Sequence, residues 1–145
     1  SVVPNKQGTL DAYEHYVNGE YVDLGTNISG TEYDAAREYW GGKWRMPTRE
    51  EVEEFYNHCT YEEKYIESED LAYFIWNSPS KKTITIKSFV PYKCDETYSS
   101  RNAIPERWTA TLTDDAVYAY ATYFFKSVKK SKRKRELCIR PVCDY

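Results

Sequence analysis

The sequence predicts an α+β domain in which two short helices near the start precede several strands. Three observations carry this prediction: two capped helical segments between residues 31 and 59, alternating apolar and polar residues after residue 59, and a length of 145 residues. Helices followed by a run of strands are typical of α+β folds, and this length suits one domain. No apolar run approaches the roughly 18–20 residues that a membrane helix needs.

The first elements are a short strand at residues 20–24 and a capped helix. Thr31 and Asp34 have capping-box spacing, in which the hydroxyl accepts a first-turn N–H and the acid lies at the positive end of the helix dipole. The helix is expected to run to about Trp40. Gly41 follows, where a left-handed cap residue is needed.

The second helix has stronger signals. Thr48 and Glu51 form another capping box, and Pro47 before them suits an extended entry. One apolar face follows at positions i, i+3, i+4 and i+7. Its members are Val52, Phe55, Tyr56 and Cys59.

Beyond Cys59 the apolar period shortens to two, which indicates strands. We expect a surface loop at residues 61–70, a strand at 72–76, and a strand at 83–89 after a turn. A long loop is expected at residues 91–107, because it carries two prolines and many polar residues.

The C-terminal third contains the strongest strand signal, at residues 117–125, where small and aromatic residues alternate. The last strand is predicted at residues 137–142, with Pro141 indicating a sheet edge or a bulge. The basic run between them is expected to form a solvated hairpin.

Several strings resemble one known family. They are residues 21–25 (YVDLG), 34–37 (DAAR), 40–48 (WGGKWRMPT) and 139–143 (IRPVC), and Trp108 stands where that family has an aromatic motif. These strings resemble the Fibrobacter succinogenes major paralogous domain family, which occurs in exported and lipid-anchored proteins of Bacteroidetes and Fibrobacteres. Residues 1–19 match nothing in it, and the segment between the first strand and first helix is shorter than usual.

The resemblance implies a C-type-lectin-like fold, with two helices flanking a twisted, mostly antiparallel sheet. It makes residues 20–145 a single lectin-like domain and residues 1–19 an N-terminal segment or tether. It also implies export to the cell surface or periplasm, with a lipid anchor on the precursor as one option. Its motif residues are expected to be structural: Trp40, Trp44, Arg45, Pro47 and Thr48.

No catalytic constellation stands out. The resembling family is distantly similar to formylglycine-generating enzymes, which need reactive cysteines. Cys138 and Cys143 lie in one extended segment, where five residues span roughly 16 Å, so we do not expect them to bond each other. His58 and Cys59 point about 100° apart at a helix end, a poor geometry for a nucleophile and its base. We expect no cofactor and no metal site.

Residues 126–135 (KSVKKSKRKR) contain seven basic residues and no acidic one, although the whole chain carries a net charge of −3. Such asymmetry predicts an anionic partner, such as an acidic polymer or a lipid headgroup. We do not expect nucleic acid, because no aromatic residue interleaves the run. The candidate ligand-binding residues are Trp108, Tyr118, Tyr120, Lys129, Lys130, Lys132, Arg133 and Lys134.

These observations predict a non-catalytic, exported binding module that recognises a glycan or protein through its loops and C-terminal strands. The alternative is a structural or adhesin subunit that makes protein–protein contacts. An oxidoreductase like the formylglycine-generating enzymes is the third and least favoured reading. The natural ligand and the oligomeric state stay open.

Overall fold

The described part of the chain contains two α-helices and ten short strands, which confirms a mixed α and β architecture with mostly antiparallel pairing. The computed structural model describes residues 13, 16–69, 71–87, 106–123, 127–135 and 137–144. The helices are α1 (Ala35–Trp40) and α2 (Arg49–His58). The strands are β1 (Tyr16–Val17), β2 (Glu20–Tyr21), β3 (Trp44–Arg45), β4 (Thr60–Ile66), β5 (Leu71–Asn77), β6 (Thr83–Lys87), β7 (Trp108–Leu112), β8 (Tyr118–Tyr123), β9 (Ser127–Lys132) and β10 (Val142–Cys143).

The described strands form four small sheets: β1–β2, β3–β10, β4–β5–β6 and β7–β8–β9. Each strand pair within them is antiparallel. These strands do not join into one sheet. The outer edge of β7 instead forms backbone hydrogen bonds with several separate segments of the chain. Backbone N–H groups of Trp108, Ala110 and Leu112 donate to the carbonyls of Cys138, Pro47 and Thr26.

Helix α1 begins one turn later than the sequence predicts. Asp34, and not Thr31, is the N-cap, and its carboxylate accepts from the backbone N–H of Ala36 and Arg37. The Thr31 hydroxyl instead donates to the carbonyl of Ile28. Both residue types favour caps, and the tertiary contacts of Asp34 decide between them. Gly41 ends the helix with φ 64° and ψ −165°, a positive-φ conformation that favours glycine, although it differs from the αL cap that the sequence predicts.

Helix α2 confirms its sequence signals. The Thr48 hydroxyl accepts the N–H of Glu51, and the Glu51 carboxylate accepts the N–H of Thr48 at 2.8 Å. The helix buries Val52 and turns Phe55 and Tyr56 toward a second apolar cluster around Phe74 and Trp76.

The predicted loop at residues 61–70 is wrong over most of its length. Residues 60–66 form β4, which pairs with β5 along seven residues, and Glu67–Glu69 form a 3₁₀ turn. Nearly all β4 side chains stay exposed. Its acidic residues are compatible with a strand because the ladder is made by backbone groups and the side chains remain in water.

The basic run is also a strand and not a hairpin loop. Strand β9 pairs with β8 from Tyr118↔Lys132 to Tyr123↔Ser127. Only residues 133–135 form a turn. Alternation explains this outcome, since Ser131 is buried while Lys130 and Lys132 are exposed.

Both ends of the domain differ from the prediction. The first strand is confined to Glu20–Tyr21, and the last to Val142–Cys143. Cys138 makes only an isolated parallel bridge to Arg107, and Pro141 has no N–H for a ladder. Strand β7 was not predicted at all.

The main core lies between α1 and the β7–β8–β9 sheet. Its buried members include Ile28, Met46, Trp108, Ala121 and Ile139. Tyr13 is also fully buried, donates its hydroxyl to the carbonyl of Thr109, and packs edge-on against Trp108 at 4.8 Å between ring centroids. Tyr13 therefore packs into the main core.

Other predictions concern residues outside those that the structure describes. These are residues 1–12, 14 and 15 of the N-terminal segment, residues 91–105 of the long loop, and the ends of two predicted strands at 88–89 and 124–125. The same holds for Cys94.

Candidate functional site

A cleft of about 670 Å³ opens between α2, the β3–β10 pair, the end of the β7–β8–β9 sheet and β6. One wall is aromatic and apolar, with Trp44, Phe55, Tyr56 and Ile84. The lining also includes Arg107 and Arg140. A concave, largely apolar cavity with a few convergent polar groups is the usual form of a ligand site, and its volume falls within the common range of about 300–1,000 Å³.

The aromatic wall is supported from behind. Trp76 is buried and stacks on Tyr56 at 5.2 Å and on Tyr61 at 5.0 Å between ring centroids. Phe55 lies 5.1 Å from the same indole. Packed rings of this kind hold one another in place, so the wall presents a fixed surface to the cleft.

Arg45 lines the cleft and forms ion pairs with two carboxylates, those of Glu51 and Asp144. Its guanidinium donates to both oxygens of Glu51, at 2.8 and 2.6 Å, and to Asp144 at 2.7 Å. It also donates to the Ser29 hydroxyl. The hydrogen bonds to Arg45 hold the pKa of Glu51 and of Asp144 below their usual values. The charge of Arg45 is therefore satisfied within the chain.

The other two arginines of the lining have a different environment. Arg140 is exposed to solvent and makes no hydrogen bond or ion pair with any residue in the described parts of the chain. Burial lowers the pKa of Arg107, the interactions with Cys138 and Tyr56 oppose that shift, and the positive charge of Arg140 lowers the pKa by a smaller amount. Desolvation by the surrounding atoms also lowers the pKa of Arg140.

Backbone and side-chain contacts fix the floor between them. The Arg107 N–H donates to the Thr122 hydroxyl at 2.9 Å, and the Thr122 N–H donates to the Arg107 carbonyl at 2.8 Å. The Tyr56 side chain hydrogen-bonds the same hydroxyl, and burial raises the pKa of Tyr56. Helix α2 is thus tied to β8 directly under the cleft.

The cysteines near the cleft carry free thiols: Cys59, Cys138 and Cys143. Burial raises the pKa of the Cys138 thiol, so this thiol is protonated at neutral pH and is a weak nucleophile. His58 lies exposed at the end of α2, and its Nδ1 contacts the carbonyl of Glu54 at 2.9 Å.

Two predicted ligand-binding residues are buried: Trp108 is a core residue that also lines the cleft, and Arg133 does not line it. Trp108 is 1% exposed, and its indole Nε1 has no hydrogen-bond partner among the described residues. Arg133 is 0% exposed. Its guanidinium donates to three carbonyls, those of Tyr13, Val22 and Ala116, at 2.8–2.9 Å. Arg133 therefore ties the N-terminal region to the main sheet instead of facing a ligand.

Four of the other six predicted ligand-binding residues come together on the β7–β8–β9 sheet. Tyr118 lies directly opposite Lys132, and Tyr120 lies opposite Lys130, so all four share one face. The Tyr120 ring is covered by Arg49 of α2, at 4.5 Å from the guanidinium carbon to the ring centroid. The remaining two are separate: Lys129 sits over the Tyr123 ring on the opposite face, and Lys134 is exposed on the turn after β9.

Of the residues predicted as structural, Thr48 caps α2 and Trp40 packs against the main core. Trp44, Arg45 and Pro47 line the cleft, and Trp44 is 40% exposed there. Sequence reasoning missed Arg107, Arg140 and Tyr56 as site residues, because nothing in their sequence neighbourhood shows that they converge.

Two further features concern the described residues alone. No group of three or more His, Cys, Asp or Glu side chains among them is arranged to hold a metal ion. Neither of the helices seen there is long and apolar enough to cross a membrane.

Comparison of the chain with models of protein families, with curated proteins and with solved structures found no match.

Proposed function

We propose that this protein is a non-catalytic binding module that holds a glycan or protein ligand in the cleft beside α2. The observation that carries the proposal is a cavity of about 670 Å³ whose lining combines aromatic side chains with Arg107 and Arg140. Aromatic rings give large contact area at little entropic cost, and arginines add directed hydrogen bonds. This pairing is typical of recognition sites.

A binding role fits the cleft better than catalysis does. Cys138, beside Arg107, has a raised pKa and is protonated at neutral pH. A general base must lie within hydrogen-bond reach of the group it activates. His58 faces the carbonyl of Glu54 at the end of α2, and it does not line the cleft.

We further propose the finer fold and location that the family resemblance implies: a C-type-lectin-like domain, exported to the cell surface or periplasm. Two helices and antiparallel strands are compatible with that fold. Fractionation of the native cells, followed by immunodetection of the protein, tests the location. Recovery from the cytoplasmic fraction alone would refute export.

Trp44 provides the sharpest test of the binding role, because it is a large exposed side chain at the cleft. We would screen the purified protein on a glycan array at physiological salt, beside the Trp44→Ala variant. Tyr65→Ala is the matched control, since Tyr65 is an aromatic residue, 49% exposed, that does not line the cleft.

The expected result is binding that Trp44→Ala weakens at least about tenfold and Tyr65→Ala leaves unchanged. Binding equally strong in both variants would move the site away from the cleft. The absence of any bound glycan or protein ligand would remove the proposal.

A second candidate function, assembly with another chain, rests on a separate observation. Tyr65 and Ile84 lie on one face of the β4–β5–β6 sheet and are 49% and 38% exposed, and large exposed apolar side chains on one surface can mark protein contacts. Sedimentation velocity over a wide concentration range tests this alternative. Assembly predicts a mass that rises with concentration and a Tyr65→Ser variant that stays smaller than the parent. A strict monomer excludes self-assembly.

A further inference from the structure

Three arginines line the cleft, and their electrostatic environments differ. Arg45 is held by Glu51 and Asp144, so its charge is satisfied within the protein. Arg140 also lines the cleft and has no carboxylate partner in the described parts of the chain. Arg107 is the third arginine of the lining, and its backbone is fixed by Thr122.

Two positive charges in the lining of a partly enclosed cleft repel each other, and burial adds to that cost. Desolvation is the main cause that lowers the pKa of Arg107; Cys138 and Tyr56 oppose it, and the charge of Arg140 makes a smaller contribution that lowers it. Arginine nevertheless stays protonated at neutral pH. A bound anion would relieve the repulsion, and the planar guanidinium fork matches a carboxylate with two parallel hydrogen bonds.

The outer edge of β7 is not free to add the strand of an extended peptide. Peptides often bind by adding a strand to a free sheet edge. The outer edge of β7 is already used, because Trp108 N–H donates to Cys138, Ala110 N–H to Pro47, and Leu112 N–H to Thr26. Recognition at this edge must therefore rely on side chains, which suits a compact ligand.

We propose that the cleft binds an acidic saccharide, whose carboxylate is held by Arg107 and Arg140 while its ring lies against the aromatic wall. Tyr56 and Trp44 supply flat apolar surface for the ring. This inference rests on the proposed binding function and adds the ligand's chemistry to it. It also separates the cleft from the exposed lysines of β9, which would attract any polyanion.

The test uses calorimetry at physiological salt with three probes: a galacturonic acid trisaccharide, its methyl ester, and a short peptide with a free C-terminal carboxylate. The ester keeps the sugar rings and removes only the charge. Each probe is titrated into the parent protein, Arg140→Gln, and a double variant with Lys130→Gln and Lys132→Gln. Arg140→Gln removes an exposed, unpartnered charge and should leave the fold intact, which circular dichroism checks.

We expect the acid to bind at least about tenfold more tightly than the ester, and Arg140→Gln to abolish that difference. The lysine double variant should keep the affinity of the parent, although it loses two charges. Equal binding of acid and ester would overturn the inference and leave the binding function standing. A loss only in the lysine variant would assign the anion to β9, and tighter binding of the peptide would exclude the saccharide. If the parent bound none of the three probes, the acidic-saccharide inference would be wrong, and the array screen with Trp44→Ala would decide the binding function separately.

Discussion

Replacing Asp34 should be among the most damaging single changes in this protein. Its side chain is 0% exposed and joins three separate segments. One oxygen accepts from Ala36 N–H at 2.8 Å and Arg37 N–H at 3.3 Å. The other accepts from Gly30 N–H at 2.6 Å and Met46 N–H at 2.9 Å. The carboxylate thus fixes the start of α1 and the chain that leads into α2.

The size of the expected stability loss follows from the backbone N–H donors that Asp34→Ala would leave without an acceptor. The bonds to Ala36 and Met46 are buried, and an unsatisfied buried donor costs about 1–3 kcal/mol. The bonds to Gly30 and Arg37 are partly exposed, so water replaces them at lower cost. Relief of carboxylate desolvation offsets part of the total. We expect a loss of about 3–5 kcal/mol, against a usual total of about 5–15 kcal/mol.

Asp34→Asn sharpens this prediction because it keeps the shape and changes one oxygen to NH₂. Either orientation of the amide leaves one pair of backbone donors facing another donor. We therefore expect a loss of at least half that of the alanine variant. Asp23→Asn is the control, since the Asp23 carboxylate accepts a single exposed bond, from Gly25 N–H. Its effect should stay within about 0.5 kcal/mol.

Urea unfolding monitored by tryptophan fluorescence measures these differences, with the slope against urea showing that the unfolded reference is unchanged. A loss below about 1 kcal/mol for Asp34→Ala, at an unchanged slope, would contradict the accounting of buried donors. It would mean that the segment rearranges to satisfy its own N–H groups.

Three other predictions use the same unfolding assay. Arg133→Met should lower the free energy of unfolding by about 2–4 kcal/mol, because three carbonyls lose their donor. Lys132→Met should be nearly neutral, and similar losses in the two variants would refute a structural role for Arg133. Thr48→Ala should cost about 1 kcal/mol and Thr48→Ser almost nothing; equal losses would show that the hydroxyl does not cap α2. The lowered pKa of Glu51 adds stability that is present above its usual pKa of 4.5 and lost as the pH falls through the folded value. Glu51→Gln and Arg45→Gln should each flatten the pH dependence below 4.5, and an unchanged profile would exclude this linkage.

The sequence predicted α2 well because its signals are local. A capping box and an apolar face at helical spacing lie within twelve residues, and no distant contact alters them. The start of α1 was misplaced because Thr31 and Asp34 are both good caps. The N–H of Met46, twelve residues further on, favours Asp34.

Strands were harder to predict where their side chains are polar. Strand β4 carries acidic residues and β9 carries lysines, so hydropathy suggested loops. Pairing with β5 and β8 supplies backbone hydrogen bonds whatever the exposed side chains are. The alternation of buried and exposed side chains after Lys130 does not appear as alternating hydropathy, because the buried residues Ser131 and Arg133 are both polar.

Local sequence patterns are enough to predict the mixed helix and strand architecture, the cap and apolar face of α2, and the glycine at the end of α1. Each of these features is specified by residues that are close together in the sequence. The tertiary fold alone buries Arg133, where its guanidinium donates to three carbonyls. It also brings Arg107, Arg140 and Tyr56 to one cleft. These residues come from distant parts of the chain and carry no common sequence spacing. Their roles depend on which carbonyls, rings and charges the fold places beside them, and one sequence does not contain that information in any local form.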